Sequence, residues 1–290
     1  MNKLSIIIPS YNGLELLKKY LPLVIKWSPS NAQIIVVDDA SSDKSVDYLK
    51  NLSKQHNQLT LIVNQQNQGF IYNCNLAAKT AKGELLVLIN NDVKPTKNFL
   101  EPAMRHFRDK DVFAVSLNEQ GQSWARIFWK KGMIGHAPGD KSDKNHVSAW
   151  ASGGSAVFRK TMWEELGGFD AMLKPFYWED FDIGIRAWKN GWKILWEPQA
   201  KVFHKHETTM SKLNQKYVLG IKERNHLLVT WKNIDSLKLF LSHIKNIIYR
   251  TLKHPGYAVV IFRALQRALI SDFSRNTGLP TNELFQKFND

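Results

Sequence analysis

Three groups of acidic residues stand where short apolar runs end or helical patterns begin: Asp38-Asp39, Asn91-Asp92, and Glu179-Asp180 with Asp182. A lone aspartate after a strand usually completes a turn or caps a helix, and Asp43 reads that way. Three clusters are harder to account for by turns alone. A carboxylate within reach of a hydroxyl can take its proton. Asn91-Asp92 supplies the kind of oxygen ligand with which Mg²⁺ or Mn²⁺ is held together with substrate phosphates. Neither G-x-G-x-x-G nor G-x-x-x-x-G-K-[ST] occurs, so any bound phosphate would be neutralised by a metal rather than by a glycine-rich loop.

The elements that must position these groups alternate. Leu4 to Ile8, Gln33 to Val37, Leu59 to Val63 and Glu84 to Ile89 read as strands. Between them, Leu14, Leu17, Leu21, Val24 and Ile25 fall at helical spacing, as do Val46, Leu49 and Leu52, and a helix over 71–82 ends at Gly83. Strands alternating with helices imply a mostly parallel sheet with helices on both faces, a Rossmann-like α/β layout. Ligands in such a sheet sit at the carboxyl ends of the strands. The loops beginning at Pro9, Asp38, Asn64 and Asn90 therefore share one rim.

From Asn118 to Ala149, glycines mix with Trp124, Phe128 and Trp129, which reads as one long functional loop. A strand over 153–158, a helix from Lys160 ending at Gly167-Gly168, a helix face of Phe181, Ile185 and Trp188, and a strand from Trp192 to Trp196 bounded by Pro198 follow. Beyond Thr208 the pattern is helical. The chain has 290 residues, 40 Lys+Arg against 26 Asp+Glu, a net charge of +14, and 43% hydrophobic residues. That apolar content excludes a disordered chain. The single cysteine, Cys74, excludes an internal disulfide, no signal peptide is evident, and no apolar stretch approaches the roughly 20 residues of a spanning helix, so a cytoplasmic setting is expected. From Lys201 onward there are 15 Lys+Arg and 6 Asp+Glu, so the last third holds most of the surplus and an anionic partner is expected there.

The ordered series Ser5-Ile-Ile-Ile-Pro-Ser-Tyr-Asn12, Val36-Val-Asp-Asp-Ala-Ser-Ser-Asp43, Asn67-Gln-Gly-Phe-Ile-Tyr-Asn-Cys-Asn75 and Leu88-Ile-Asn-Asn-Asp92 resembles glycosyltransferase family 2, inverting enzymes of the GT-A fold. Ser152-Gly-Gly, Gly167-Gly-Phe-Asp170, Phe176-Tyr-Trp-Glu-Asp-Phe-Asp182 with Arg186 and Gly191, then Pro198 and His204, continue the likeness, which covers roughly residues 3–205. Within the family it is most similar to the rhamnosyltransferase-type branch of bacterial surface-polysaccharide enzymes. The resemblance implies a catalytic domain over 1–207, with a donor-binding half to about 117 and an acceptor and catalytic half from about 118. A basic helical extension would occupy 208–290.

By the same resemblance, Pro9, Tyr11, Asp39, Asn67, Gly69, Asn91, Asp92, Gly153 and Gly154 would surround a nucleoside diphosphate sugar, dTDP-rhamnose or a UDP-sugar, with Asp39 on the base. Asp92 ends a D-x-D-like element in which only one carboxylate remains, so His204 would supplement it on Mg²⁺ or Mn²⁺; a solvated strand-end histidine is the structural alternative. Asp180 would be the general base and Glu179 would orient it, although Asp180 also stands where a helix N-cap would. Asp182 with Arg186 at i+4 reads as a structural pair. Gly153 and Gly154 would admit the donor sugar, or simply begin a strand tightly.

Trp124, Trp129 and Trp178 are candidate acceptor platforms, since aromatic faces stack on sugar rings. The acceptor implied is a glycan, lipid-linked on a polyprenyl diphosphate. Leu237, Phe240, Leu241, Ile244, Ile247 and Ile248 oppose basic residues as in an interfacial helix on an anionic membrane, with a packed amphipathic helix as the alternative. Competing classes are a basic nucleic-acid-binding protein, for which no zinc spacing or RNA-binding motif is found, and a catalytically inactive sugar-binding relative. Oligomeric state leaves no signature in the sequence.

Overall fold

A computed structural model describes residues 3–204, 213–271 and 273–288. The chain runs β1 (Leu4–Ser10), α1 (Leu14–Trp27), β2 (Gln33–Asp38), α2 (Ser45–Gln55), β3 (Leu59–Val63), α3 (Phe70–Thr80), β4 (Leu85–Ile89), β5 (Val93–Pro95) and α4 (Glu101–Arg105). Next come β6 (Val112–Glu119), β7 (Ala125–Lys130), β8 (Met133–Pro138), β9 (His146–Val147), β10 (Ser155–Arg159), α5 (Lys160–Glu165), α6 (Glu179–Lys189) and β11 (Lys193–His204). Four helices complete it: α7 (Gln215–Lys232), α8 (Leu237–Lys253), α9 (Tyr257–Ile270) and α10 (Thr281–Gln286). The expected boundary at 207/208 lies outside the described residues.

The strands are ordered β3-β2-β1-β4-β10-β6-β11-β5, with β9 beside β11. β3, β2, β1 and β4 are mutually parallel. β10 runs antiparallel to β4 and β6, and β11 is parallel to β6. The carboxyl ends of β1, β2, β4, β6 and β11 and the amino end of β10 therefore meet on one edge of an α/β sheet. The central strands β1, β2, β4 and β10 are almost wholly buried because both faces are covered. Successive side chains point to opposite faces: Ile6, Ile8, Val36 and Val87 pack with Leu17, Leu21 and Leu49 on one side, while Ile7, Ile35, Leu86 and Leu88 pack with Ile71, Phe158 and Ile185 on the other.

Two expectations are corrected. The segment expected to be a loop over 118–149 contains the hairpin β7–β8, closed by Lys131 and Gly132 at φ of 50° and 74°. Positive φ at both positions of a two-residue turn matches the right-handed twist of the flanking strands, and Lys-Gly is a less common way to write it than Asn-Gly. Secondly, β11 does not stop at Pro198. A register shift between Glu197 and Lys201 bulges the strand where proline cannot donate to the ladder, and pairing resumes to His204.

The C-terminal helices share the main core: Leu227, Leu228 and Val229 of α7, Tyr257 and Ala264 of α9, and Leu284 of α10 belong to the same apolar cluster as Ile7 and Phe158. A buried ionic network ties them to α6. Lys232 Nζ lies 2.6 Å from Asp182 Oδ1 and 2.7 Å from Asp170 Oδ2, and Arg186 Nε lies 2.7 Å from Asp182 Oδ2. Burial would raise the Asp182 carboxyl, but Arg186 and Lys232 outweigh it and hold it below the usual aspartate range. Removing one partner of a buried pair leaves the other charge uncompensated. Lys232→Ala is expected to lower the unfolding free energy by about 3–5 kcal/mol in denaturant titration; a loss under about 1 kcal/mol would mean that water reaches Asp182.

Candidate active site

The strand-end edge opens into a cavity of about 520 Å³. Pro9, Ser10 and Tyr11 enter it from the end of β1, Asp39 from β2, and Asn90, Asn91 and Asp92 from β4. Ser152, Gly153 and Gly154 precede β10, Glu179 and Asp180 begin α6, His204 ends β11, and Tyr217 comes from α7.

Asp39 organises one wall. Its Oδ1 accepts from Gln68 N and Asn64 Nδ2, and its Oδ2 from Gly69 N, each at 2.8 Å. These bonds fix the loop ahead of α3 against the end of β2. Gly69 sits there at φ +84°, and a Cβ on it would lie 2.8 Å from Pro175 Cβ, so no other residue fits without displacement. Asp43 behaves as a turn and capping residue: it accepts from Leu14 N at the start of α1 and from Ser45 N at the start of α2.

Asp92 and His204 form a second group. His204 Nε2 lies 3.0 Å from Asp92 Oδ1, and His204 Nδ1 lies 3.1 Å from Glu119 Oε2. Glu119 is itself held by Ser152 Oγ at 2.9 Å and Ser155 Oγ at 2.5 Å. Burial acts to lower the His204 pKa, but the hydrogen bonds and charges of Asp92 and Glu119 overcome it and raise it to about 9. A carboxylate behind the distal nitrogen of a metal-binding histidine sets its tautomer and orientation. Once a cation displaces the Nε2 proton that His204 shares with Asp92, the donor set suits a hard or borderline divalent ion: one carboxylate and one imidazole, with the remaining positions left to water and phosphate oxygens.

Glu179 and Asp180 form the third. The helix N-cap is Trp178, not Asp180, and Asp180 is the second residue of α6. Its Oδ1 accepts from Phe181 N at 2.8 Å and its Oδ2 from Gly153 N at 3.4 Å. Burial raises the Asp180 carboxyl above the usual aspartate range. Burial and the neighbouring Asp180 charge push the Glu179 carboxyl up as well, so the pair resists carrying two negative charges at once. Cys74 is buried, which pushes its thiol up and leaves it inert as a nucleophile.

The backbone leading into this pair is strained. Tyr177 and Trp178 have φ of 71° and 74°, a region that costs a bulky side chain free energy. Asn225 Nδ2, fully buried on α7, donates to Leu173 O, Phe176 O and Tyr177 O at 2.6, 3.0 and 2.9 Å. His226 stacks on Trp178 at 4.3 Å, and Arg267 of α9 donates to Ala171 O and Met172 O.

Every residue expected at the donor, base and metal positions lines this one cavity: Pro9, Tyr11, Asp39, Asn67, Gly69, Asn91, Asp92, Gly153, Gly154, Glu179, Asp180 and His204. The three tryptophans do not. Trp124 stacks on His146, Trp129 donates to Ser242 Oγ on α8, and Trp178 lies between His226 and Phe181. Trp124 and Trp178 thus have a histidine ring stacked on one face, and Trp129 spends its indole N–H on α8. Glu119, Asn225 and Tyr217 escaped the sequence reading; Glu119 carried the same strand-end signal as Asp92, whereas Asn225 stands inside an ordinary helix and carried none.

A family profile described as "Glycosyl transferase family 2" matches residues 5–167. The GalNAc(5)-diNAcBac-PP-undecaprenol beta-1,3-glucosyltransferase of Campylobacter jejuni is 29% identical over 295 residues, covering 97% of this chain and 91% of that protein. An O-antigen chain rhamnosyltransferase of Salmonella anatum is 25% identical over 229 residues, covering 75% of this chain and 70% of that protein. The crystal structure of GalNAc-T7 with UDP, GalNAc and Mn²⁺ has the same fold, with a TM-score of 0.72 at 18% identity; the alignment covers 99% of this chain and 56% of that one.

Asn225→Ala leaves three carbonyls without their donor. Unfolding free energy is expected to fall by about 2–4 kcal/mol, read by denaturant titration; an unchanged value would show that the left-handed turn holds itself.

Proposed function

We propose that this chain, which belongs to glycosyl transferase family 2 and has the GT-A fold, transfers a sugar with inversion from a nucleoside diphosphate sugar, dTDP-rhamnose or a UDP-sugar, to a hydroxyl of a glycan acceptor carried on a polyprenyl diphosphate. The product would be part of a bacterial surface polysaccharide, made on the cytoplasmic face of the cell membrane. The observation that carries the reading is the convergence of Asp39, the Asp92–His204 pair and the Glu179–Asp180 pair on one cavity. The lipid-linked acceptor draws support from the Campylobacter relative, and the rhamnosyl donor from the Salmonella one.

Residues 1–117 would supply the donor side and 118–207 the catalytic side, with 208–290 as the helical extension. Asp39 and the Gly69 loop hold the nucleoside, and the ring of Tyr11 stands beside them. Asn91 donates to Ser10 Oγ at 3.0 Å, keeping Asp92 oriented toward the cavity. A divalent cation held by Asp92 and His204 Nε2 would neutralise the departing diphosphate. Ionised Asp180 takes the proton of the acceptor hydroxyl as that oxygen bonds to the anomeric carbon and the bond to the diphosphate oxygen breaks. Glu179, whose carboxyl burial also pushes up, resists adding a second negative charge beside the base. Tyr217, half exposed at the cavity, offers a face for the acceptor.

Asp180→Asn is expected to cut turnover by a factor of about 10²–10⁴ while leaving donor affinity near its original value in calorimetry with UDP, dTDP or GDP; turnover near the unaltered level would remove Asp180 from the role of base. The base works only when ionised, and burial raises its pKa, so turnover should rise with pH along an acid limb placed above the ordinary aspartate range of about 4. A limb at about 4 in a pH–rate profile would contradict the burial argument. Exhaustive chelation should abolish transfer, Mn²⁺ or Mg²⁺ should restore it, and His204→Ala should raise the metal concentration required by about 10–100-fold. Full turnover after chelation would contradict the metal assignment.

A further inference from the structure

The inward faces of α8 and α9 are fully engaged. On α8, His243 Nδ1 meets Gly132 O at 2.7 Å, Ser242 Oγ accepts from Trp129, and Asn246 donates to Lys131 O, so the helix is fastened to the β7–β8 turn. On α9, Tyr257 and Ala264 enter the core and Arg267 grips Ala171 O and Met172 O, at the start of the segment that leads to Asp180. Arg250 joins the two helices through Tyr257 Oη and reaches Glu223 on α7.

The outward faces are another matter. Leu237 is 71% exposed and Leu252 79% on α8, with Phe240 and Leu241 between them, while Phe262 is 66% and Leu269 86% exposed on α9. Isolated apolar residues on a surface need no explanation, but a stripe at i, i+3, i+4 and onward along two consecutive helices does. The two helices also contain Lys238, Lys245, Arg250, Lys253, Arg263 and Arg267 and no Asp or Glu. Lys238, Lys245 and Arg263 are exposed beside the apolar stripes. Neither helix is long and apolar enough to span a membrane. An exposed apolar face bordered by cations with no acid is the pattern of a helix that lies in the headgroup region of an anionic bilayer.

We infer that the outward face of α8 and α9 is a docking surface for an anionic lipid bilayer, on which this chain sits without crossing it. The inference deepens the proposed lipid-linked acceptor and rests on that reading for its purpose, but the binding itself needs no sugar. It also gives α9 two jobs. The helix that meets lipid on one side braces, through Arg267, the segment carrying the base on the other, so docking steadies the site where the acceptor arrives.

The test is co-sedimentation of the full chain, without sugar nucleotide, with vesicles of phosphatidylcholine alone and of phosphatidylcholine mixed with phosphatidylglycerol. The unaltered chain should partition onto the anionic vesicles and be released by high salt. A Leu252→Glu, Leu269→Glu double variant and a Lys238→Glu, Lys245→Glu double variant should each lower the partition coefficient by about tenfold or more. Both should retain the circular dichroism spectrum and the transfer rate on a water-soluble acceptor. No binding to anionic vesicles, or equal binding by all three proteins, overturns the inference. So does light scattering that shows a dimer dissociated by the leucine substitutions, because a second copy would then cover the face. Vesicle binding with no transfer from any donor would overturn the glycosyltransfer reading and leave the docking surface standing.

Discussion

The position of the Asp180 carboxylate depends on a stretch of backbone that would not hold its shape alone. Tyr177 and Trp178 adopt left-handed conformations in succession, each costing of the order of 1–3 kcal/mol. What keeps them there comes from far along the chain: the Asn225 amide binding three carbonyls, His226 stacked on Trp178, and Arg267 holding the preceding turn. The reward is directional. With the chain turned this way, α6 begins at Glu179 and presents both carboxyl groups to the cavity, while Asp182, two residues beyond Asp180, faces Lys232 and Arg186 in the core. Helices α7 and α9 thus belong structurally to the site, although the matched family profile ends at residue 167.

Electrostatics divides the acids into three environments. Asp182 is buried and fully paired, and its carboxyl is held low. Glu119 is buried but bonded to His204, Ser152 and Ser155, which together outweigh its burial and hold it low as well. Glu179 is buried and Asp180 half-buried, no cation among the described residues pairs with either, and both are held high. One functional group, the carboxyl, therefore serves as structural anchor, as orienting partner of a histidine, and as a base whose pKa is pushed up. Burial alone does not decide among these; the nearest positive charge does.

Much of this was legible in the sequence because strand-end chemistry is local. An apolar run followed by Asp-Asp or Asn-Asn-Asp states both the strand and the group at its end, which singles out Asp39, Asn91 and Asp92; Pro9, Tyr11 and the role of Asp180 rest on the resemblance to the family series, and all six fall in one cavity. What escaped depends on long-range pairing. β11 reads as ending at Pro198 until the bulge that absorbs the proline is seen. The β7–β8 hairpin is hidden by a Lys-Gly turn among scattered aromatics. Trp124, Trp129 and Trp178 looked like sugar platforms, but an aromatic residue does not announce whether protein or ligand covers its face. Asn225 is recognisable only once the three carbonyls that it serves have been brought to it by a fold spanning about fifty residues of sequence.

The central claim is a single displacement at the anomeric carbon with Asp180 as the base. It is tested most directly by determining the anomeric configuration of the product linkage by NMR, with a donor of known configuration. The account predicts inversion. Retention would require a second displacement or front-side attack, and would contradict it.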